Sequence, residues 1–249
     1  MARQSEDWVA DRTFLLVRTG SHAYGTNIET SDEDFKGICV PPESYYFGMD
    51  EFSQHNISQK EIVNQETTIL HIKRFFTQAV KGTPNVVEML FAEKEDYLNK
   101  ESFVSSVLLN NRETFLTQEL ASRLRDYAYS QFAQLCKSSE PEHPKGRSEL
   151  IRVYGYDTKF FMHAMRLIDM SNELLAGGGY RVRRPDADVL VGYRNGSVKT
   201  AAEAQLMFLE KLRINDLVRT RTDLPEKMDY ERANKLLTVL TKQFLIGQP

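Results

Sequence analysis

Cysteine is scarce in this chain: Cys39 and Cys136 are the only two among 249 residues, far apart and without Cys-x-x-Cys spacing. That argues against a disulfide scaffold or a structural zinc site and makes a reducing, cytoplasmic setting the expectation. Long hydrophobic runs are missing too. None approaches the roughly 20 apolar residues that cross a bilayer, and the opening "MARQSEDWVADRTF" holds no apolar core of the signal-peptide kind, so no membrane partner is expected. There is no internal repeat, no low-complexity tract and no excess of positive charge: 32 Lys and Arg against 35 Asp and Glu leave a formal net charge of -3. A uniformly basic nucleic-acid binder is thereby excluded, and an acidic partner must be met by a local patch. What is present is ample core material, 41% apolar with 27% charged residues, which excludes compositional disorder.

The pattern along the chain is strands first, helices afterwards. "TFLLVR" (Thr13 to Arg18) and "DFKGICV" (Asp34 to Val40) read as buried strands, ended by Gly20 and by Pro41-Pro42. "QKEIVNQETTIL" (Gln59 to Leu70) reads as a strand or hairpin. From Ile72 the period turns helical through Val80, with Gly82 as the stop, and Thr83-Pro84 opens a further helix that buries Val87, Leu90 and Phe91. Helical patterns continue over Phe103 to Leu109, Phe115 to Leu135 and Tyr156 to Leu175, the last stopped by Gly177-Gly178-Gly179. After "RVRRP" come a short helix, a turn at Asn195-Gly196 and a long helix. The Pro- and charge-rich "CKSSEPEHPKGRSE" (Cys136 to Glu149) marks a boundary. The expected fold is α+β, with a mixed sheet in an N-terminal domain, 1–137, and a helical C-terminal domain, 147–249.

Within this frame, "TGSHAYGTNIETSDEDFKGI" (Thr19 to Ile38) concentrates the chemistry. At the start of a strand Asp32 and Asp34 share one face, because side chains alternate with period two. Such a pair suits a hard divalent cation with room left for phosphate oxygens. Gly20 lets a phosphate approach the backbone, and Ser21 offers a hydroxyl and an N–H. The competing reading is local: "TSDE" (Thr30 to Glu33) fits a helix capping box, although Phe35, Ile38 and Val40 suit a strand better. Both readings stand on these residues alone.

The whole string resembles the Gly-Ser-x-Ala-Tyr-Gly…Ser-Asp-x-Asp-x-(Lys/Arg)-Gly signature of the DNA polymerase beta-like nucleotidyltransferase superfamily, in the branch of bacteria and phages that includes members associated with RNA repair. "KRFFTQAVKGTPNVVEMLF", "YGYDTKFFMHAMRLIDMSNELL" and "RVRRPDADVLVGYRNG" are similar to further signatures of that branch. The resemblance implies an N-terminal polymerase beta-like fold followed by a helical region. It also implies a Mg²⁺- or Mn²⁺-dependent transfer of a nucleoside monophosphate, with release of pyrophosphate, from a nucleoside triphosphate to a hydroxyl of an RNA end, a protein or a small molecule. Gly20 and Ser21 then hold the triphosphate, Asp32 and Asp34 the metals, and Glu66 is the third carboxylate, with Glu61 as runner-up. The rival class is a non-catalytic nucleotide-binding or antitoxin-like module.

Lys159, His163 and Arg166 recur at spacings of four and three and so share one helix face, with Tyr156 a turn earlier. The resemblance favours nucleotide contacts for this stripe over a solvated basic face. Tyr24 has two readings, stacking on a base or packing inside. "RVRRP" either touches phosphate or balances Asp186 and Asp188, and Cys39 is expected in the core.

Overall fold

The computed structural model describes residues 8–52, 54–59, 65–137 and 147–247, with the side chains of 55–59, 65–66, 136–137 and 147–150 excepted. Two compact units make up the chain. The first runs to Phe115 and resumes at Lys227; the second is Leu116–Glu226. The segment 138–146, where the expected boundary falls, lies outside the described residues.

The first unit carries, in chain order, α1 (Trp8–Asp11), β1 (Thr13–Thr19), α2 (Gly20–Tyr24), β2 (Asp34–Cys39), α3 (Ser44–Phe47), β3 (Gln54–Gln59), β4 (Gln65–His71), α4 (Ile72–Val80), α5 (Pro84–Val87), β5 (Tyr97–Asn99) and α6 (Phe103–Asn110). The strands form one mixed sheet in the order β3-β4-β2-β1-β5. β1 and β2 are antiparallel, with Thr19 opposite Asp34, whereas β2 and β4 run parallel, with Phe35 beside Thr67 and Cys39 beside His71. β1 carries the unbroken apolar run Phe14–Val17 and is buried at nearly every position, the mark of a strand covered on both faces. One face packs Val9, Leu16, Phe35, Cys39 and Ile69, with Trp8 and Phe52 against them. Phe75, Phe76 and Phe115 meet at ring distances of 5.6–6.2 Å and are almost fully buried. Burying each phenyl ring contributes on the order of 2–3 kcal/mol.

Helix starts follow their local chemistry. His71 Nδ1 accepts from the Lys73 N–H at the head of α4, and Pro84 opens α5. In the second unit Thr117 Oγ1 accepts from the Leu120 N–H just where α7 (Gln118–Lys137) begins. α8 (Arg147–Tyr154) and α9 (Thr158–Leu175) follow, the latter capped by Asp157, whose carboxylate accepts from the N–H groups of Lys159 and Phe160. α10 (Ala187–Arg194) and α11 (Ala201–Arg219) complete this unit. A buried polar knot ties α9 to its neighbours: Asn215 Nδ2 donates to Ser171 Oγ and Asn172 Oδ1, and Ser171 donates to the Ala121 carbonyl. The chain then returns to the first unit as α12 (Tyr230–Ile246), where Phe244 lies against Phe14 and under Arg12. No helix among the described residues is long and apolar enough to cross a membrane.

Candidate active site

No helix follows "TSDE". Asp34 opens β2 directly, because Phe35, Gly37, Ile38 and Cys39 are buried strand residues. The capping-box reading therefore lapses. Ser31 organises the approach instead: its Oγ accepts from the Ile28 N–H and its N–H donates to the Ile28 carbonyl. His22 Nε2 lies 3.3 Å from the Ser31 carbonyl oxygen and ties this loop to α2.

Three consecutive acids at the approach to β2 stand in different surroundings. Glu33 accepts an ion pair from Arg18 at 3.2 Å, and Arg18 also reaches Asp96, which is 1% exposed, at 3.5 Å. Asp32 and Asp34, on either side of Glu33, do not share that pairing. Both are exposed, and among the described residues neither makes an ion pair. Gly20 stands directly against Asp34. Its φ is +68°, and a methyl group in place of its hydrogen would lie 2.5 Å from Asp34 Oδ2. Only glycine fits there on both counts. Thr19, extended, caps no N–H of α2 with its side chain; its hydroxyl instead donates to the Asp34 carbonyl at 3.3 Å. Gly20 and Asp34 are thus in contact within the first unit, with Ser21 next to Gly20 and Asp32 two residues before Asp34 along the chain.

For the third carboxylate only the backbone speaks. The register that pairs Phe35 with Thr67 places Glu66 at the position beside Asp34 on the neighbouring parallel strand. Its side chain and the whole of Glu61 lie outside the described residues. Among the described residues no three His, Cys, Asp or Glu side chains gather as a metal-holding group.

Tyr24 is buried, and its hydroxyl donates to Glu88 Oε2 at 2.8 Å. Glu88, 5% exposed, also has Lys36 Nζ 3.9 Å from its other oxygen, while that ammonium donates to the Asn85 carbonyl at 3.0 Å. One buried carboxylate thereby joins the signature loop, β2 and the turn after α5. A charge-assisted bond of this kind is worth about 1.5–3 kcal/mol. Sequence reasoning passed over Glu88, although a lone acid inside the apolar run "VVEMLF" is the signal that marks it.

The Lys159–His163–Arg166 stripe belongs to the second unit. Lys159 and His163 are half-buried. Arg166 is only 5% exposed and donates to Met170 Sδ at 3.3 Å; a solvated basic face does not describe it. Tyr156 is buried and donates to the Val198 carbonyl at 2.9 Å; burial and then the charge of Glu203 push its pKa up to about 12. In "RVRRP", Arg184 is closed off: it donates to both carboxylate oxygens of Glu173 at 2.9 and 2.6 Å and to Asp186 at 3.0 Å. Burial works against its charge, but Glu173 and Asp186 outweigh that and hold its pKa above the ordinary value.

The sequence model of the RNA repair pathway DNA polymerase beta family, RlaP, matches residues 3–244. The chain belongs to the RlaP family. An uncharacterized 38.9 kDa protein of Enterobacteria phage T4, from the nrdC-mobD intergenic region, is 32% identical over 120 residues. That alignment covers 45% of this chain and 36% of the phage protein, so the chain spans well under two thirds of its relative's length. Membership gives the α+β unit its identity as a polymerase beta-like nucleotidyltransferase fold. The glycine-flanked loop and the Asp-x-Asp strand start of this RlaP member are the parts of that fold described above.

Proposed function

We propose that this RlaP protein is a metal-dependent nucleotidyltransferase that joins a nucleoside monophosphate to an acceptor hydroxyl and releases pyrophosphate. The observation that carries the reading is the contact of Gly20 with Asp34, in a family whose fold is that of nucleotidyltransferases. The donor set fits a hard divalent cation: two exposed carboxylates two residues apart at the head of a strand, without a cationic partner among the described residues, and a bare glycine backbone against Asp34. Asp32 and Asp34 would hold Mg²⁺ or Mn²⁺, with Glu66 as third carboxylate. When bound, the cation supplies charge neutralisation at the transferring phosphoryl group.

The protein's own contribution is placement. Gly20 and Ser21 present N–H groups and a hydroxyl to the leaving phosphates, in the manner of backbone cradles generally. The ion pair with Arg18 removes Glu33 from competition for the cation. The Glu88 tie through Tyr24 and Lys36 fixes the end of α2 against β2, and with it the distance from Gly20 to Asp34. In-line transfer demands little covalent chemistry of the protein, and positioning of this kind supplies most of the catalysis. Lys159, His163 and Arg166 are proposed to contact the nucleotide. An RNA end is the favoured acceptor, a preference that rests on the family's description.

The test is transfer from α-³²P-labelled ATP, GTP, CTP and UTP to total RNA or protein, with Mg²⁺ or Mn²⁺. Label should enter an acceptor and vanish in the Asp32→Ala/Asp34→Ala variant. Nucleotide binding with no transfer from any of the four would replace this reading with the non-catalytic module.

A further inference from the structure

The far end of the sheet in the first unit holds a second feature, an open groove of about 860 Å³. It lies away from the Asp-x-Asp site: Asp34 opens β2 and Cys39, beside His71, ends it, a separation of roughly 17 Å at about 3.3 Å per residue. One wall is the outer row of α4 and its C-cap, where Lys73, Thr77 and Lys81 are exposed at successive turns. The two lysines are roughly 12 Å apart along the axis at 1.5 Å per residue. The floor is aromatic. Tyr45 and Phe52 are half-buried, Phe52 stands 6.3 Å from the His71 ring, and Trp8 packs 5.1 Å from both Tyr45 and Phe52. Exposed Asp50 and Glu51 line the remaining side.

The lining brings three chemistries to one groove: cations, rings and carboxylates. A plain polyanion would be repelled by Asp50 and Glu51, and a cationic ligand by the lysines. An unstacked nucleotide satisfies all three, since its phosphates meet the lysines, its base stacks on the rings, and its amino or sugar hydroxyl groups donate to the carboxylates. We infer that this groove docks a single-stranded polynucleotide, one base stacking on Tyr45 and Phe52 while Lys73 and Lys81 take the flanking phosphates. The inference deepens the proposed function by giving the acceptor strand a place to bind, and on that point it rests on that reading. Its test needs neither metal nor nucleoside triphosphate, so docking and transfer can fail separately.

Fluorescence anisotropy of the full chain with 5′-labelled 12-mers of rU, rA and dT, at 50 and 200 mM salt, reads the docking directly. Lys73→Glu/Lys81→Glu should weaken strand binding at least ten-fold and lower the salt slope by about 1.4, or about 0.7 per lost phosphate contact. Phe52→Ala should weaken it comparably without changing the slope. A charge-matched control, Lys235→Glu/Lys242→Glu on exposed positions of α12, should change affinity less than two-fold. Tighter binding of the ribo-strands assigns the site to RNA, and equal binding assigns it to either backbone. Absence of strand binding at 50 mM salt overturns the inference, as does an equal loss in the α4 and α12 double variants.

Discussion

Two charged clusters, one in each unit, are wired in opposite ways. Around Arg184 in the second unit every charge is answered: the guanidinium is buried to 1% exposure, and Glu173 and Asp186 close on it. Around Asp32 and Asp34 in the first unit the negative charge stays open to solvent, while the acid between them, Glu33, is neutralised by Arg18. Of three consecutive acids, two are left exposed and the one between them meets its cation. A closed cluster contributes to folding and leaves no charge for a ligand. An open one contributes little to folding and keeps its charge available.

The largest effect expected from this contrast is on activity. Asp32→Ala/Asp34→Ala should lower transfer by a thousand-fold or more, about 4 kcal/mol of barrier, while thermal stability moves by no more than about 0.5 kcal/mol, as for other exposed positions. A large loss of stability in this variant would break the comparison. Arg184→Ala should do the reverse. Removing one partner of a buried pair leaves Glu173 uncompensated and costs about 3 kcal/mol of stability, read as a lowered denaturation midpoint, with transfer by the folded fraction retained. Gly20→Ala falls between the two. The positive φ and the clash with Asp34 Oδ2 together should cost about 1–2 kcal/mol in stability, and displacement of the carboxylate should lower transfer more than the stability loss explains.

Much of this contrast was legible in the residues. β1, β2, α4 and α9 announce themselves by burial period, and "TFLLVR" and "DFKGICV" are strands because both faces of the sheet are covered. The choice between capping and chemistry for "TSDE" was not legible locally. It is decided by Phe35 and Ile38, whose burial commits Asp34 to a strand edge. The partners of Tyr24 and Arg18 were hidden for a different reason. Glu88 and Asp96 lie 64 and 78 residues further along, and no local pattern encodes a contact at that separation. "RVRRP" was readable as basic with Asp186 as one candidate partner, which Arg184 does meet; that Arg184 also turns inward to Glu173 depends on α9 and the following segment packing together. α12 carries a helical pattern, yet nothing in its sequence says that it rejoins the first unit.

The smallest expected effect concerns the other polar face of the first unit. His71 is 6% exposed, and burial, followed by the nearby charge of Lys73, pulls its pKa down to about 4. An unfolded chain binds a proton at this histidine below about 6.5, whereas the folded chain resists it until about 4. Between those values the unfolded state holds more protons, so stability is complete above pH 6.5 and is lost as the pH falls toward 4. The loss should be about 1 kcal/mol, since the site is partly open to solvent through the groove. His71→Asn separates this from the carboxylates that titrate over the same range. Asparagine retains an acceptor for the Lys73 N–H at the head of α4 but cannot take up the proton. Urea denaturation at pH 7.0, 5.5 and 4.5 should therefore show a shallower decline for the variant than for the wild type. Parallel declines would mean that His71 is protonated as readily in the folded chain as in the unfolded one. Lys73, Arg74 and Lys81 would then share the groove with a fourth cation at mildly acid pH, and strand affinity should rise there.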